Sequence, residues 1–236
     1  MTQSSKNAGL AVLPAATEPQ NGSMAATDWS TAASFEDLCL LTAHFLGGTL
    51  GTFPGWLASY LDGETEELAP VLTALNLGGF LTVASQQGHP PTNEPDGHRR
   101  ARRTFVMGFA SPASAARLAG LASSTEGDLR LDVFSPTTAP DPGSTPCSET
   151  MPGDLQTSGR GEAETSVLPV GLLDGEPFLI AGHDAATREL EIFSEYCQAE
   201  AIAALARCSW ISAVDLAWAR RPLLWDTLRN ALAPTN

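Results

Sequence analysis

The chain has 236 residues, 43% of them hydrophobic, with 21 glycines and 17 prolines. That is enough apolar material for a core, although low-complexity stretches limit the expected folded body to roughly 170 to 190 residues. Its 13 basic and 27 acidic side chains give a formal net charge of −14, a field that repels phosphate backbones and anionic lipids and argues against nucleic acid as a partner. No run approaches the roughly 18 to 20 apolar residues of a membrane span, and the first 28 residues lack the apolar block of a secretory signal, so a soluble, cytoplasmic protein is expected.

Residues 1–33 are rich in Ala, Thr, Ser, Gln and Pro with little periodicity, which reads as a disordered tail. Ser34-Phe35-Glu36-Asp37 resembles a capping box, and Leu38, Leu41 and Phe45 recur at helical spacing up to Gly47-Gly48. The aromatic, turn-rich stretch 51–63 reads as an ordered loop on the core. Thr65 is expected to cap the next helix, with Glu66 and Glu67 in its first turn and Leu68, Val71, Leu72 and Leu75 on one face. Phe80 to Ala84 reads as a buried strand ending in the polar turn Ser85-Gln86-Gln87-Gly88.

Three prolines and two glycines within residues 88–98 predict an irregular, mobile loop. Residues 102–110 follow as a strand, 112–123 as a helix capped by Ser111 with Pro112 first, and 129–134 as a strand. A strand–helix–strand order predicts a crossover between parallel strands. Residues 135–166, dense in Pro, Gly, Ser and Thr, read as a flexible insertion. Beyond it, 167–172, a turn at Asp174-Gly175, 178–181 and 189–193 form a β-meander by pattern. A helix over 198–207, a strand over 210–214 and a helix over 222–232, with Leu224, Trp225, Leu228 and Leu232 inward, close the chain. The predicted fold is α+β: a small mixed sheet with helices mainly on one face, residues 34–134 and 167–236 forming two halves of one domain.

The four cysteines, Cys39, Cys147, Cys197 and Cys208, form no CxxC and no Cys/His pair at zinc-finger spacing. Cys197 and Cys208 bracket one predicted helix about 16 Å apart, too far for a disulfide within it. Reduced thiols are expected, and neither a metal nor a cofactor is called for.

The segments LGGTLGTFPGW, DGETEELAPVLTALNLGGFLT and SQQG within residues 45–88, FVMGF at 105–109 and DLAWARRPLLW at 215–225 together resemble an uncharacterised actinobacterial domain family. Gln87 stands where that family leads one to expect Pro, and Ala219 where Gly is expected. The resemblance implies which segments cluster and carries no activity.

Chemistry-bearing residues gather in a few places. Glu64, beside a helix N-terminus, with Thr65, Asn76, Ser85 and Gln86 at a strand end, would hold a polar small molecule or position a water. The same letters also describe a helix cap, a solvated carboxylate and turn formers. The basic island Arg99, Arg100, Arg102 and Arg103 offers bidentate clamps for a carboxylate or phosphate, or pairs with the protein's own acids. Asp215, Trp218 and Arg220 follow the last strand and would face a ligand or tie a loop down. Cys197 at a helix start has the placement that activates a thiol, and His183-Asp184 would make a base and its orienter or a turn. No P-loop, GxGxxG, GxSxG, HExxH or EF-hand pattern occurs.

Three functional classes follow. The leading one is a metal-independent enzyme acting on a small polar substrate, anionic ones included, with Glu64 as acid/base, Ser85 and Gln86 orienting, and Arg99, Arg102, Thr65, Asn76, Asp215, Trp218 and Arg220 binding. The others are a non-catalytic small-molecule-binding module at the same pocket, and an interaction protein whose acidic surface meets a protein partner or a second copy.

Overall fold

A computed structural model describes residues 28–56, 61–122, 128–134, 168–181 and 185–233. They form helices α1 (Phe35–Leu46), α2 (Gly63–Leu77), α3 (Pro112–Ala122), α4 (Ala185–Ser194), α5 (Ala199–Leu205) and α6 (Leu223–Leu232). The strands are β1 (Phe80–Gln86), β2 (His89–Asn93), β3 (Arg99–Arg102), β4 (Phe105–Ala110), β5 (Leu129–Phe134), β6 (Leu168–Leu173), β7 (Glu176–Ala181) and β8 (Ser209–Asp215). The fold is α+β, as the alternation of periods predicts.

The strands divide between two sheets, ordered β1-β4-β8-β5 and β2-β3-β6-β7, and every neighbouring pair is antiparallel. A single mixed sheet is therefore not what forms. β4 and β5 do run in the same direction across α3, but β8 is hydrogen-bonded between them and antiparallel to both, so the strand–helix–strand unit is split by a strand from the C-terminal part.

Helices lie on both faces of the first sheet rather than mainly on one. Alternation along β8 sends Ile211 and Ala213 into a cluster with α2, α3 and α6, anchored by Leu75, Leu118 and Leu228. Trp210 and Val214 point the other way, into a cluster with α1, α4, α5 and Val170 of β6. Trp29 belongs to that second cluster and is 2% exposed, so the fold begins ahead of the predicted boundary at residue 34, and a short 3-10 turn, Trp29–Thr31, precedes α1. Residues 1–27, the insertion 135–166 and His183-Asp184 lie outside the described residues.

Local chemistry explains the element ends. Ser34 caps α1 in the predicted capping box: its hydroxyl accepts from the Asp37 N–H at 3.1 Å, and the Asp37 carboxylate accepts from the Ser34 N–H at 3.0 Å. The Ala33 N–H first, and then the hydroxyl and N–H of Ser34, hold Asp37 below its ordinary carboxylate range. The α2 cap is Asp62 rather than Thr65: the Asp62 carboxylate accepts from the Thr65 N–H at 2.8 Å, which places Glu64 within the first turn. Ser111 accepts from the Ser114 N–H at 3.2 Å and opens α3 as expected.

Two predicted segments change type. Residues 89–102 form the β2–β3 hairpin instead of a mobile loop. Pro90 and Pro91 are tolerated because β2 is an edge strand and its register with β3 shifts between His89 and Thr92, so the ladder skips both prolines. Pro95-Asp96-Gly97 supplies the turn, with Gly97 at φ 88°. Residues 185–194 are helical, not the third strand of a meander: Ala186 and Phe193 are buried and Leu190 packs with them, a helical spacing that overrides the alternation of Leu190 and Ile192. The predicted 102–110 strand is two strands in two sheets, since the Arg103 N–H donates to Val170 O and Thr104 O accepts from the Asp215 N–H at the crossing.

Candidate functional site

The first turn of α2, the β1–β2 connection, the end of β3 and the β8–α6 loop meet at one end of the first sheet. Close backbone approach forces this. A Cβ on Gly88 would lie 1.9 Å from Ala219 O and 2.7 Å from Thr104 Oγ1, so only glycine lets the β1–β2 connection lie against the β8–α6 loop. The Gly88 N–H donates to Thr104 Oγ1 at 2.8 Å.

This juxtaposition lines up five side chains. Arg102 Nη1 lies 3.3 Å from Glu64 Oε2. Glu64 Oε1 accepts from the Gln87 backbone N–H. Gln87 Nε2 donates to Glu67 Oε2 at 3.2 Å, and the same Glu67 oxygen pairs with Arg220 Nη2. Glu64 and Glu67 are three apart on α2 and so share a face. The row therefore reads Arg102, Glu64, Gln87, Glu67, Arg220, with charges that formally cancel. It lies at the surface: Glu64 is 34% and Arg102 40% exposed, Glu67 54% and Arg220 62%. Within it, Gln87 Oε1 is buried and has no hydrogen-bond partner, an unusual state for a buried acceptor.

Other predicted site residues are spent elsewhere. Asn76 is fully buried. Its Nδ2 donates to Leu72 O and Thr82 Oγ1, both at 2.8 Å, and its Oδ1 accepts from the Thr82 N–H at 3.2 Å. It ties α2 to β1 and cannot face a ligand. Thr65 donates its hydroxyl to Asp62 Oδ2 at 3.0 Å. Gln86 Nε2 donates to Arg103 O at 3.0 Å and Val170 O at 3.4 Å, joining the two sheets. Ser85 pairs with Val106 and Gln86 with Phe105, and those partners belong to opposite core clusters, so Ser85 and Gln86 point to opposite faces. The expected trio Glu64, Ser85 and Gln86 is not gathered on one face.

The basic island is divided as well. Arg100 pairs with Asp96 at 2.6 Å. Arg99 stands at the exposed end of β3, three residues from Arg102 and about 10 Å along the strand. Its N–H donates to Asp174 Oδ1 at 2.7 Å, so Arg99 belongs to a contact between hairpin turns and not to the row. In that contact His98 Nδ1 lies 2.8 Å from Asp174 Oδ2. The Asp174 carboxylate raises the imidazole above its ordinary value, and the Arg99 N–H, followed by His98, lowers the carboxylate.

The β8–α6 loop is held from beneath. Asp215 is fully buried and accepts from Arg221 Nε at 2.7 Å, Arg221 Nη2 at 2.6 Å and the Ala217 N–H at 2.9 Å. The partner is thus Arg221, leaving Arg220 for Glu67. Arg103 lies over the Trp218 ring, 4.2 Å from its centroid, and donates from Nε to Leu216 O at 3.1 Å. Burial lowers the Arg103 pKa. Asp215 and Trp218 therefore position the loop that carries Arg220.

Sequence reasoning missed Glu67 and Gln87, which read as an ordinary first-turn acid and a turn former. Their three-residue offset from Glu64 and adjacency to Gln86 were the available signals. Cys197 is not an activated thiol: burial pushes it up to about 11, and Cys208 up to about 12. Cys39, Cys197 and Cys208 are free thiols. Among the described residues no group of His, Cys, Asp and Glu is arranged to hold a metal ion, and no helix is long and apolar enough to cross a membrane.

No curated protein matches the sequence. The family model for a domain of unknown function, DUF6919, matches residues 24–141, half of the 236-residue chain. That span includes Glu64, Glu67, Gln87 and Arg102 of the row; Arg220 lies beyond it. The chain belongs to the DUF6919 family.

Proposed function

We propose that this protein binds a small polar molecule bearing an anionic group at the row Arg102, Glu64, Gln87, Glu67 and Arg220. One observation carries the reading: four separate parts of the chain bring two carboxylates together between two guanidiniums at a half-exposed surface, where each guanidinium spends few of its donors. A guanidinium has five N–H donors, and among the described residues Arg102 and Arg220 each engage a single carboxylate. The remaining donors match a carboxylate or phosphate oxygen in geometry and charge.

A metal-independent enzyme with Glu64 as acid/base is the second reading. What favours it is that Glu64 sits in a helix first turn beside a guanidinium, where an acid/base group would stand next to a bound anion.

The test is a thermal-shift screen of the full chain against amino acids, organic acids, sugars, nucleosides and nucleotides, with Glu64→Gln and Arg220→Ala run beside the wild type. A ligand at about 100 times its Kd adds about 2.7 kcal/mol, which raises Tm by about 5 to 10 °C in a protein of this size. A shift that shrinks in both variants supports the site. No shift with any class, or a shift unchanged in both variants, overturns it. Product analysis on any stabilising compound decides between binding and turnover.

A further inference from the structure

Resting on that reading, we infer that the ligand is zwitterionic: a free α-amino acid whose carboxylate takes spare N–H donors of Arg220 while its ammonium takes Glu67 and the side-chain oxygen of Gln87. Arg102 with Glu64 and Arg220 with Glu67 are two matched pairs. A simple anion drawn to Arg220 competes with Glu67 and leaves that carboxylate without its countercharge. A simple cation drawn to Glu67 does the same to Arg220. A zwitterion inserted between the two replaces one ion pair by two and strands neither group.

The outer pair is the one suited to open. Arg220 and Glu67 are 62% and 54% exposed, and ion pairs this exposed contribute little to stability. Glu67 Oε2 is shared between Arg220 and Gln87 Nε2, so an ammonium taken by Glu67 displaces both donors and lets the Gln87 amide turn its oxygen toward the ligand. Independently of the charges, Gln87 Oε1 is a buried acceptor with no donor, while the Gln87 N–H and Nε2 are both engaged. An ammonium brings three donors and meets both Glu67 and this oxygen. A carboxylic acid lacking the amino group brings nothing that the oxygen can accept.

Isothermal titration calorimetry on the full chain tests this. The twenty common L-amino acids are titrated first, and the tightest binder is compared with its decarboxylated amine and its deaminated acid. The amino acid is expected to bind at least tenfold more tightly than either. Gln87→Leu, which keeps the backbone N–H to Glu64, is expected to weaken the amino acid at least tenfold and the deaminated acid by much less, so that the preference for the amino acid falls; an undiminished preference refutes the ammonium seat. Should Gln87→Leu fail to melt cooperatively, Glu67→Gln reads the same ammonium seat with the same expected loss. An acid or amine that binds as tightly as the amino acid refutes the zwitterion and leaves the site standing. So does a sugar or nucleoside that binds, sensitive to Arg220→Ala, where no amino acid does. No binding by any class overturns the site as well.

Discussion

Replacing Arg221 with Met removes the countercharge from a carboxylate that has no exposure. Asp215 is 0% exposed and receives two guanidinium N–H donors at 2.6 and 2.7 Å, with the Ala217 N–H at 2.9 Å as its third. The Asp215 carboxylate also raises the Arg221 pKa, the hydrogen bond contributing most. After the change one donor remains for a buried negative charge. Breaking a buried pair from one side costs about 3 to 5 kcal/mol, and because Arg221 is itself 31% exposed, water reaches the vacated side and the lower end, about 3 kcal/mol, applies. For a protein of this size that lowers Tm by about 6 to 12 °C. The assay is urea unfolding followed by circular dichroism, in which the midpoint falls while the slope is preserved. The double variant Asp215→Asn with Arg221→Met should lose less than Arg221→Met alone, since it removes the stranded charge. A loss below about 1 kcal/mol, or a double variant no better than the single, would show that the pair does not hold the β8–α6 loop.

Two further outcomes follow from the geometry. Gly88→Ala places a Cβ where Ala219 O stands at 1.9 Å, so the β8–α6 loop must move; the Trp218 signal in the fluorine NMR spectrum of fluorotryptophan-labelled protein should shift, and an unchanged spectrum with unchanged Tm would contradict the close approach. His98 and Asp174 tie the β2–β3 turn to the β6–β7 turn. The raised imidazole contributes fully below its ordinary 6.5 and is lost as pH rises through the folded value, whereas the lowered carboxylate contributes above its ordinary 3.8 and is lost as pH falls through its own. The tether should therefore be strongest between 3.8 and 6.5. NMR titration of His98 checks the sign, because Asp174→Asn should return the imidazole toward its ordinary value, and an unmoved titration would refute the pairing.

Much of the fold was readable along the chain, because the signals are local. The capping box at Ser34 to Asp37 and the i, i+3, i+4 apolar spacing in α2 and α6 are properties of neighbouring residues. So is the turn at Asp174-Gly175, where both residues adopt positive φ, 51° and 91°, as a two-residue hairpin loop requires. These elements appear where the letters put them. The β2–β3 hairpin was not readable, since whether Pro90 and Pro91 break a strand depends on its having no outer neighbour and on where its register with β3 shifts. α4 was misread because Leu190 and Ile192 alternate as in a strand while Ala186, Leu190 and Phe193 recur as in a helix, and the tie is broken only by what packs against them.

The site divides along the same line. By itself the sequence determines which groups carry charge and which helices and strands bear them, and it marks Glu64, Arg102 and Arg220 as candidates. Only the tertiary structure decided that Glu64 and Arg102 pair, that Glu67 and Gln87 connect them to Arg220, and that Asn76 and Gln86 are spent on holding elements together. The physical reason is reach. Capping and periodicity act over three or four residues, whereas Arg220 and Glu67 are 153 residues apart and meet only because β8 is inserted between β4 and β5 and Gly88 lets its following loop lie against the end of β1.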